Sequence, residues 1–314
     1  MLNTILKYIS ISTVFVFFIW LFASVLYFTE PITIPKQLYL PKGSISKTIQ
    51  ALNDVTNNSF FETDRYILSF FGMPQHGWIE LPSTEMSRID ILYQTTVAKA
   101  TNVSISLIPG ETTYIFLQQV AKKFDLNFDK LFEKFNEKAD LKEGFLIPET
   151  YHFPKKVTEE YVVSHLIKFA RQTHKKYMKL FRISDLQEWK KLIIIGSIIE
   201  KETAGKKEMP LISSVIYNRL KKNMKLQMDG TLNYGKYSRL KVTAQRIRED
   251  ESKYNTYKYA GIPYMPVCNP SLEAIRSAIF PAETNYLYFV KNRSTGEHLF
   301  THSYSQHVKN IKNQ

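Results

Sequence analysis

The first thirty residues limit what this chain can fold into more than any other part of it. Lys7 and Glu30 are the only charged side chains there, and the 21 residues from Tyr8 to Phe28 are uncharged and mainly apolar. A helix of that length crosses a bilayer core of about 30 Å. The sequence therefore predicts an uncleaved transmembrane anchor at the amino terminus.

A cleaved signal peptide is the competing interpretation of this segment. The apolar part of a signal peptide is usually about 7–15 residues long, which is shorter than the run here, and Ala23-Ser24 is a poor cleavage context. Lys7 precedes the span, and the positive-inside rule keeps such a residue in the cytoplasm. We expect a cytoplasmic amino terminus, with residues 31–314 on the outer, periplasmic side of the cell membrane.

Composition indicates a folded protein with a basic surface. Hydrophobic residues make up 44% of the chain, which is enough for packed cores in two modest domains. The net charge is +13, and residues 181–314 hold 22 Lys plus Arg against 12 Asp plus Glu, which gives +10. Such a surface favours lipid headgroups, nucleic acid or an acidic glycan, although a basic solvated surface without a specific partner is equally compatible. The anchor and the absence of a binding motif disfavour nucleic acid.

The single cysteine, Cys268, cannot form a disulfide within the chain, so we expect the exported part to be stabilised by packing. Cys268 lies in a proline-rich loop without a motif around it, which disfavours a nucleophilic thiol. His298, His302 and His307 show no recognised zinc pattern, and the chain lacks a glycine-rich phosphate loop. We therefore expect neither a metal site nor a cofactor.

Helical and strand patterns alternate along the chain and predict an α+β fold. The order strand, helix, helix, strand recurs on both sides of residue 103, which indicates a pair of small βααβ units. The composition changes near residue 182. The predicted domains are 1–30, the cytoplasmic tip and anchor; 31–104, an amino-terminal α+β subdomain; 105–181, a further subdomain with a connecting helix; and 182–314, a mixed α+β domain. The predicted helices are Ser44–Asn53, Thr63–Phe71, Ser87–Lys99, Thr112–Phe124, Phe128–Phe135, Thr158–Phe181, one from Ser184 or Asp185 to Thr203, and Met209–Leu220; the predicted strands are Trp78–Leu81 and Val103–Leu107, with a strand pair or a strand and loop over 143–154.

Two carboxylates, Glu200 and Glu202, end the apolar run Leu192–Thr203. An ionised carboxylate is costly to bury, so it either has a partner or has a raised pKa that suits acid catalysis. The helix is apolar almost all round, and periodicity does not choose between the two. Gly196 and Ser197 leave room beside Glu200 for a ligand or another helix.

The alternative is that both glutamates are solvated at a helix end, with Lys201, Lys206 and Lys207 as surface partners.

Asp229 offers the second carboxylate that glycosidases commonly need, although Asp229-Gly230 is equally good as a turn signal. The aromatic clusters Tyr254–Tyr257 and Tyr286–Phe289 could stack on sugars, although buried strands use such runs more often.

Several separated blocks, in one order, resemble the YceG-like endolytic murein transglycosylases. The first block is Glu200-Lys-Glu-Thr203, and upstream the segments Ile108–Glu111 and Glu143–Tyr151 resemble the LysM-like glycan-binding segment of that family. The resemblance is weakest across residues 45–100. The remaining blocks are Val215–Leu220, Met224–Asp229, Tyr254–Tyr257, Gly261–Pro263, Asn269-Pro270 and Leu287–Val290.

The resemblance implies that Glu200 is the catalytic residue. It also implies that residues on matching motif positions surround a glycan cleft: Gln227, Asp229, Thr231, Asn255, Tyr257 and Asn269. The chain departs from the family at Gly230, where proline is usual, and at Tyr264, Met265 and Ser271, where proline and glycine are typical. We expect these departures to affect loop geometry more than chemistry.

The resemblance further implies a reaction without water. Glu200 protonates the glycosidic oxygen between N-acetylmuramic acid and N-acetylglucosamine, and then takes the proton of the muramic 6-hydroxyl as a 1,6-anhydro end forms. No second carboxylate is needed, so Asp229 is expected to orient substrate. The implied partners are nascent peptidoglycan strands, whose elongation it would terminate, the cytoplasmic membrane and peptidoglycan synthases. Two rivals remain: a muramidase that uses Asp229 to activate water, and a catalytically idle glycan-binding scaffold of cell-wall synthesis.

Overall fold

The structure is a computed structural model that describes residues 2–98, 102–154 and 157–313. Contacts divide the chain into two compact units: Met1–Val103 with His152–Lys155, and Ser104–Tyr151 with Lys156–Gln314. Residues on both sides of position 182 lie in the second unit. The four domain ranges expected from the sequence remain predictions.

The first unit begins with a long apolar helix, α1 (Leu2–Thr29). Within it, Ser12–Thr29 is apolar and long enough to cross a membrane, and none of that stretch is buried inside the protein. A signal sequence near the amino terminus passes the same test of length and composition. Whether the helix is a permanent anchor therefore remains a prediction.

The rest of the first unit is a small α+β fold. Strand β1 (Pro31–Thr33) pairs antiparallel with β4 (Glu85–Ser87), and β2 (Gln37–Leu40) pairs antiparallel with β3 (Gly77–Glu80). The helices are α2 (Ile45–Val55), α3 (Asp64–Phe71) and α4 (Arg88–Val97). Leu38 lies opposite Ile79 in the ladder, and both side chains enter the core with Leu52 and Leu68 from α2 and α3. The order β2, α2, α3, β3 is the first predicted βααβ unit.

The second βααβ order follows as β5 (Asn102–Ser106), α5 (Thr113–Phe124), α6 (Phe128–Lys138) and β6 (Thr150–Pro154). Strands β5 and β6 pair with each other, and the division between the two compact units passes through both of them. Of the two forms expected over 143–154, the strand and loop form is present. The loop begins at Glu143, which turns its carboxylate inward to accept backbone N–H groups.

The other α-helices and strands described in the second unit form a helical core with a hairpin. They are α7 (Glu159–Phe181), α8 (Leu186–Glu202), α9 (Met209–Lys221), α10 (Ala244–Glu249), α11 (Leu272–Ile279), β7 (Tyr288–Lys291), β8 (His298–Thr301) and α12 (Tyr304–Lys312). Asp185 starts α8 by accepting a hydrogen bond from the Gln187 N–H, as an N-cap residue does. Apolar residues of α8, α9 and α11, such as Ile195, Ile212 and Ile275, pack into one core.

Helix α8 approaches α11 closely at Gly196. A Cβ added to Gly196 would lie 3.2 Å from the backbone of Ile275, which is tighter than a side chain normally tolerates. The next residue, Ser197, accepts a hydrogen bond from the Val267 N–H at 3.0 Å. The small residues before Glu200 therefore make room for another helix and its preceding loop. Of the two possibilities left open by the sequence, a ligand or another helix, the structure shows the helix.

Candidate active site

Glu200 lies in the last turn of α8 and faces the first turn of α11. Its Oε2 atom accepts hydrogen bonds from the Ser271 N–H at 2.9 Å and from the Ser271 hydroxyl at 2.6 Å. The same hydroxyl accepts from the Ala274 N–H at 3.2 Å and caps α11. Helix amino termini favour negative charge, so this position suits a carboxylate. Within the described part of the chain, no hydrogen bond reaches the Oε1 atom of Glu200.

A tight turn supplies the surface beside Glu200. Gly110 has a φ of +84°, and a Cβ at this position would lie 3.7 Å from Cγ of Glu200. The backbone of this turn is bonded to Asn269, since Gly110 N–H donates to the Asn269 carbonyl and Asn269 N–H donates to the Glu111 carbonyl, both at 3.0 Å. The turn and the segment that carries Ser271 are thus held together next to the half-buried carboxylate.

Glu202 points to a different neighbour. Its Oε1 atom accepts from the Gly230 N–H at 2.7 Å. Burial, together with the nearby charge of Asp229, raises the pKa of Glu202 to about 7 against the opposing effect of that hydrogen bond. A Cβ at Gly230 would lie 2.6 Å from Cβ of Lys201. A proline at this position, as is usual in the family, has no N–H to donate to Glu202.

The structure contradicts the alternative in which both glutamates are merely solvated at a helix end. Glu200 and Glu202 each accept a backbone N–H, and two of the three lysines proposed as their surface partners bond elsewhere. Lys201 donates to the Ser238 hydroxyl at 2.9 Å, and Lys206 pairs with Glu273 at 3.6 Å.

Three of the predicted substrate residues line one cavity of about 450 Å³ together with Glu202. Asp229 is exposed, and its Oδ1 atom accepts from the Tyr257 hydroxyl at 2.5 Å. Burial and the bond to Asp229 raise the pKa of Tyr257. Gln227 is exposed with a φ of +50°, and its N–H donates to the Thr256 carbonyl. The other lining residues include Arg219, Tyr288, Phe289, Tyr304, His307 and Ile311.

The other three predicted substrate residues have fully buried side chains that bond to the protein. Thr231 donates to the Met228 carbonyl at 2.7 Å, and Asn255 donates to the carbonyls of Ile247 and Asp250, both at 2.8 Å. These bonds fix the two segments that carry Asp229 and Tyr257. The geometry gives Thr231 and Asn255 a positioning role in those segments.

Asn269 is the centre of a second buried network. Its amide group donates to the Glu111 carbonyl at 3.0 Å and lies 3.4 Å from Oε1 of Glu143, while its Oδ1 atom accepts from the Leu146 N–H at 3.0 Å. Glu143 also accepts from the N–H and the hydroxyl of Thr113. Burial raises the pKa of Glu143 to about 7 despite these bonds. Asn269 thereby joins three separate segments beside Glu200.

A charged network surrounds Glu111, the residue that follows Gly110 in the tight turn beside Glu200. Arg239 makes a forked contact with Oε2 of the buried Glu111, with Nε at 3.1 Å and Nη2 at 2.5 Å. The Ser238 hydroxyl donates to Oε1 of Glu111 and accepts from Lys201. Lys201 is thereby connected to Glu111 through a single hydroxyl group.

Sequence reasoning did not assign roles to Ser271, Glu143 or Arg239. For Ser271 a local signal exists, because a serine before Leu272-Glu-Ala-Ile is a typical N-cap. For Glu143 and Arg239 no local signal exists, since their partners lie 30 and 128 positions away.

Cys268 is fully buried, its thiol donates to the Ser197 carbonyl, and burial raises its pKa, so the neutral thiol is favoured over a nucleophilic thiolate.

The chain is similar to several known proteins. It is 36% identical over 199 residues to an endolytic murein transglycosylase of Bacillus subtilis strain 168, which is 62% of this chain and 53% of that protein. It is 29% identical over 201 residues to an endolytic murein transglycosylase of Streptococcus pneumoniae serotype 2 strain D39, which is 62% of this chain and 36% of that protein. The chain thus spans about half the length, or less, of these curated relatives.

Among solved structures, a putative YceG-like protein from Listeria monocytogenes matches with a TM-score of 0.56 and 25% identity, over 90% of this chain and 99% of that one. Residues 38–313 match the YceG-like family. With most of its length matched, the chain belongs to the YceG-like family.

Proposed function

We propose that this protein is an endolytic murein transglycosylase that cleaves the β-1,4 bond between N-acetylmuramic acid and N-acetylglucosamine. The proposal rests mainly on the hydrogen bonding of the Glu200 carboxyl group. Ser271 donates two hydrogen bonds to one of its oxygens, Oε2. Two relatives that bear this name support it. A carboxyl group held at one oxygen and open at the other is suited to proton transfer at a fixed position.

The reaction is a transfer within the substrate. Because both donors bond to Oε2 of Glu200, the acidic proton resides on Oε1 and passes to the glycosidic oxygen as the bond from C1 to that oxygen breaks. The muramic 6-hydroxyl then bonds to C1, and its proton returns to Oε1. One bond to C1 is exchanged for another, the proton count on Glu200 is restored, and water is not consumed.

A second carboxylate is unnecessary for this reaction, because the nucleophile belongs to the substrate. Asp229, Gln227 and Tyr257 line the cavity beside Glu202, and we assign them to glycan binding. Thr231, Asn255 and Asn269 were expected from the resemblance to surround the cleft. We assign Thr231 and Asn255 to holding the segments of Asp229 and Tyr257, and Asn269 to holding the segments beside Glu200. This division of roles extends the proposal to all seven predicted site residues.

The remaining features of the proposal concern location and substrate. Helix α1 anchors the protein in the cell membrane with its amino terminus in the cytoplasm, and the LysM-like segment in residues 105–181 holds glycan. A tethered enzyme reaches strands near the bilayer, so we propose nascent peptidoglycan as substrate, termination of strand growth as the outcome and peptidoglycan synthases as partners. The segment between α1 and β1 is a single residue, Glu30, which limits this reach.

The test is mass spectrometry of products from uncrosslinked glycan strands incubated with the full chain in detergent, compared with its Glu200→Gln variant. We expect 1,6-anhydromuramic ends from the wild type and none from the variant. Glu188→Gln is the matched control, because Glu188 is an exposed residue in the first turn of the same helix. It should cleave like the wild type.

Two other outcomes identify the rivals. Reducing muramic ends that disappear in Asp229→Asn would show a muramidase that activates water. Binding of glycan by wild type and Glu200→Gln without cleavage by either would show a scaffold protein.

A further inference from the structure

Two helices of the first unit expose an unusual amount of apolar surface. On α3 and just after it, Tyr66 is 62% exposed, Phe70 is 87% exposed and Met73 is 72% exposed. On α4, Ile89, Tyr93 and Val97 recur every four residues and are 37%, 45% and 47% exposed. This spacing places them on one face of the helix. We refer to these six residues as the α3–α4 apolar surface.

The two stripes meet through their aromatic rings. Phe71 contacts Phe70 at a ring distance of 6.2 Å and contacts Tyr93 at 5.6 Å. Isolated apolar side chains on a surface are ordinary, whereas a connected group of them marks a site of interaction.

Both helices begin at the end of α1. The Tyr27 hydroxyl donates to Asp64, the first residue of α3, at 2.6 Å, and the Tyr27 ring stacks on Phe61 at 5.3 Å. Arg88, the first residue of α4, donates to the Tyr27 carbonyl and places its guanidinium 3.7 Å from the centre of the Tyr27 ring. The last turn of α1 is thus fixed to the starts of α3 and α4.

Helix lengths limit how far the apolar surface lies from the end of α1. Helices α3 and α4 have 8 and 10 residues, so their far ends lie about 12 and 15 Å from the starts that contact α1. The 18 residues of Ser12–Thr29 extend about 27 Å, close to the thickness of the hydrocarbon core. Tyr27 then lies at the boundary, where tyrosines are enriched. Arg65 lies 4.8 Å from the centre of the Tyr66 ring and pairs with Glu62 at 3.7 Å, so its charge is already balanced within the protein.

We propose that the α3–α4 apolar surface rests in the outer interface of the bilayer that α1 crosses. The inference rests on the anchoring that is part of the proposed function. The first unit is then seated on the membrane at two places, through α1 and through this surface, and does not turn freely about the end of α1. The partner is a lipid surface.

The test places spin labels on the full chain in liposomes of phosphatidylethanolamine and phosphatidylglycerol. Labels at Phe70→Cys and Tyr93→Cys report the surroundings of the α3–α4 apolar surface. A label at Tyr39→Cys reports those of an exposed site on β2, and a label at Phe18→Cys reports those of α1. Cys268 is fully buried, so the wild type serves as the unlabelled blank. We expect the labels at 70 and 93 to collide with dissolved oxygen severalfold more than with a water-soluble nickel complex, whereas the label at 39 shows the reverse.

Three results would overturn the proposal, and they differ from one another. If the label at 18 lies in lipid while those at 70 and 93 behave like the label at 39, anchoring holds and the seating is wrong. If the label at 18 is accessible to the nickel complex, anchoring and seating both fail. If the labels at 70 and 93 are shielded from both reagents, a protein rather than lipid covers the surface.

Discussion

Ser271 donates two hydrogen bonds to a single oxygen of Glu200, from its backbone nitrogen at 2.9 Å and from its hydroxyl at 2.6 Å. The hydroxyl also accepts from the Ala274 N–H and so begins α11. One short side chain therefore starts a helix and orients the carboxyl group that we propose as the acid and base. A residue without a side-chain hydroxyl at this position would keep only the backbone bond.

Replacing Ser271 tests this relationship. Ser271→Ala removes the hydroxyl bond to Glu200 and the cap of α11, and hydrogen bonds to charged groups contribute about 1.5–3 kcal/mol. We expect the cleavage rate to fall at least about tenfold and the free energy of unfolding to fall by about 1 kcal/mol. Initial rates of anhydro-end formation and thermal unfolding measure these effects. Ser271→Thr retains the hydroxyl and should restore both, and an alanine variant with the wild-type rate would refute the positioning role.

Gly230 should not tolerate a side chain. In Gly230→Ala the new Cβ meets Cβ of Lys201 at 2.6 Å and Oε1 of Glu202 at 2.8 Å, so the loop or the helix end must move. We expect a loss of about 1–3 kcal/mol of unfolding free energy, as is usual for overpacking, measured by urea unfolding followed in the second unit. Gly205→Ala is the control, because nothing lies within 4 Å of the added Cβ and its φ of −178° is ordinary extended backbone. Equal stability of the two variants would contradict the close contact.

Glu143 should make stability depend on pH. Burial raises its pKa from 4.5 to about 7 in the folded protein, so between these values the folded state keeps a proton that the unfolded state has lost. Stability therefore falls as pH rises through this window, by at most about 1.4 kcal/mol per pH unit for one proton. Glu143→Gln keeps an acceptor for Thr113 and does not titrate, so its unfolding free energy should vary less with pH. Parallel pH profiles of variant and wild type would show that Glu143 is not the group involved.

Arg239 should stabilise the buried Glu111. Arg239→Ala leaves Glu111, whose side chain is 6% exposed, without its only described arginine contact. Unpairing a buried charge costs about 3–5 kcal/mol, and we expect about 1–2 kcal/mol here because the Arg239 side chain is 62% exposed and solvent screens it. The unfolding midpoint measures the loss. Arg248→Ala, at an exposed position on α10, should change it little, and a similar shift in both variants would argue for a general effect of charge.

Much of the local structure could be predicted from the sequence. Helix α8 begins after Asp185, one of the two predicted N-cap residues, because an N-cap residue followed by an apolar run is information contained in neighbouring residues. The two βααβ orders are present for the same reason, since strand and helix periodicities differ within a few residues. The resemblance to the YceG-like family was also readable from short motifs in a fixed order, and the family match confirms it.

The sequence motifs proposed residues for the candidate site but did not give their contacts. Gln227, Asp229 and Tyr257 face one cavity, and Thr231 and Asn255 are buried supports for the segments that carry Asp229 and Tyr257. Asn269 is buried in a separate network beside Glu200. A motif records which residues occur and does not distinguish a side chain that faces solvent from one that bonds to a neighbouring carbonyl. The catalytic role of Glu200 stays a prediction that the product analysis tests.

The sequence by itself determined the apolar amino-terminal helix, the positions of most helices and the two carboxylates at the end of α8. Only the tertiary structure decided that Glu200 faces Ser271 and that Glu202 faces Gly230. Helical periodicity follows from bonds between residues about four positions apart, whereas these partners lie 71 and 28 positions away. Contacts at that separation depend on how α8, α11 and the loops pack, because burial of their apolar faces brings together polar groups that the local pattern leaves unrelated.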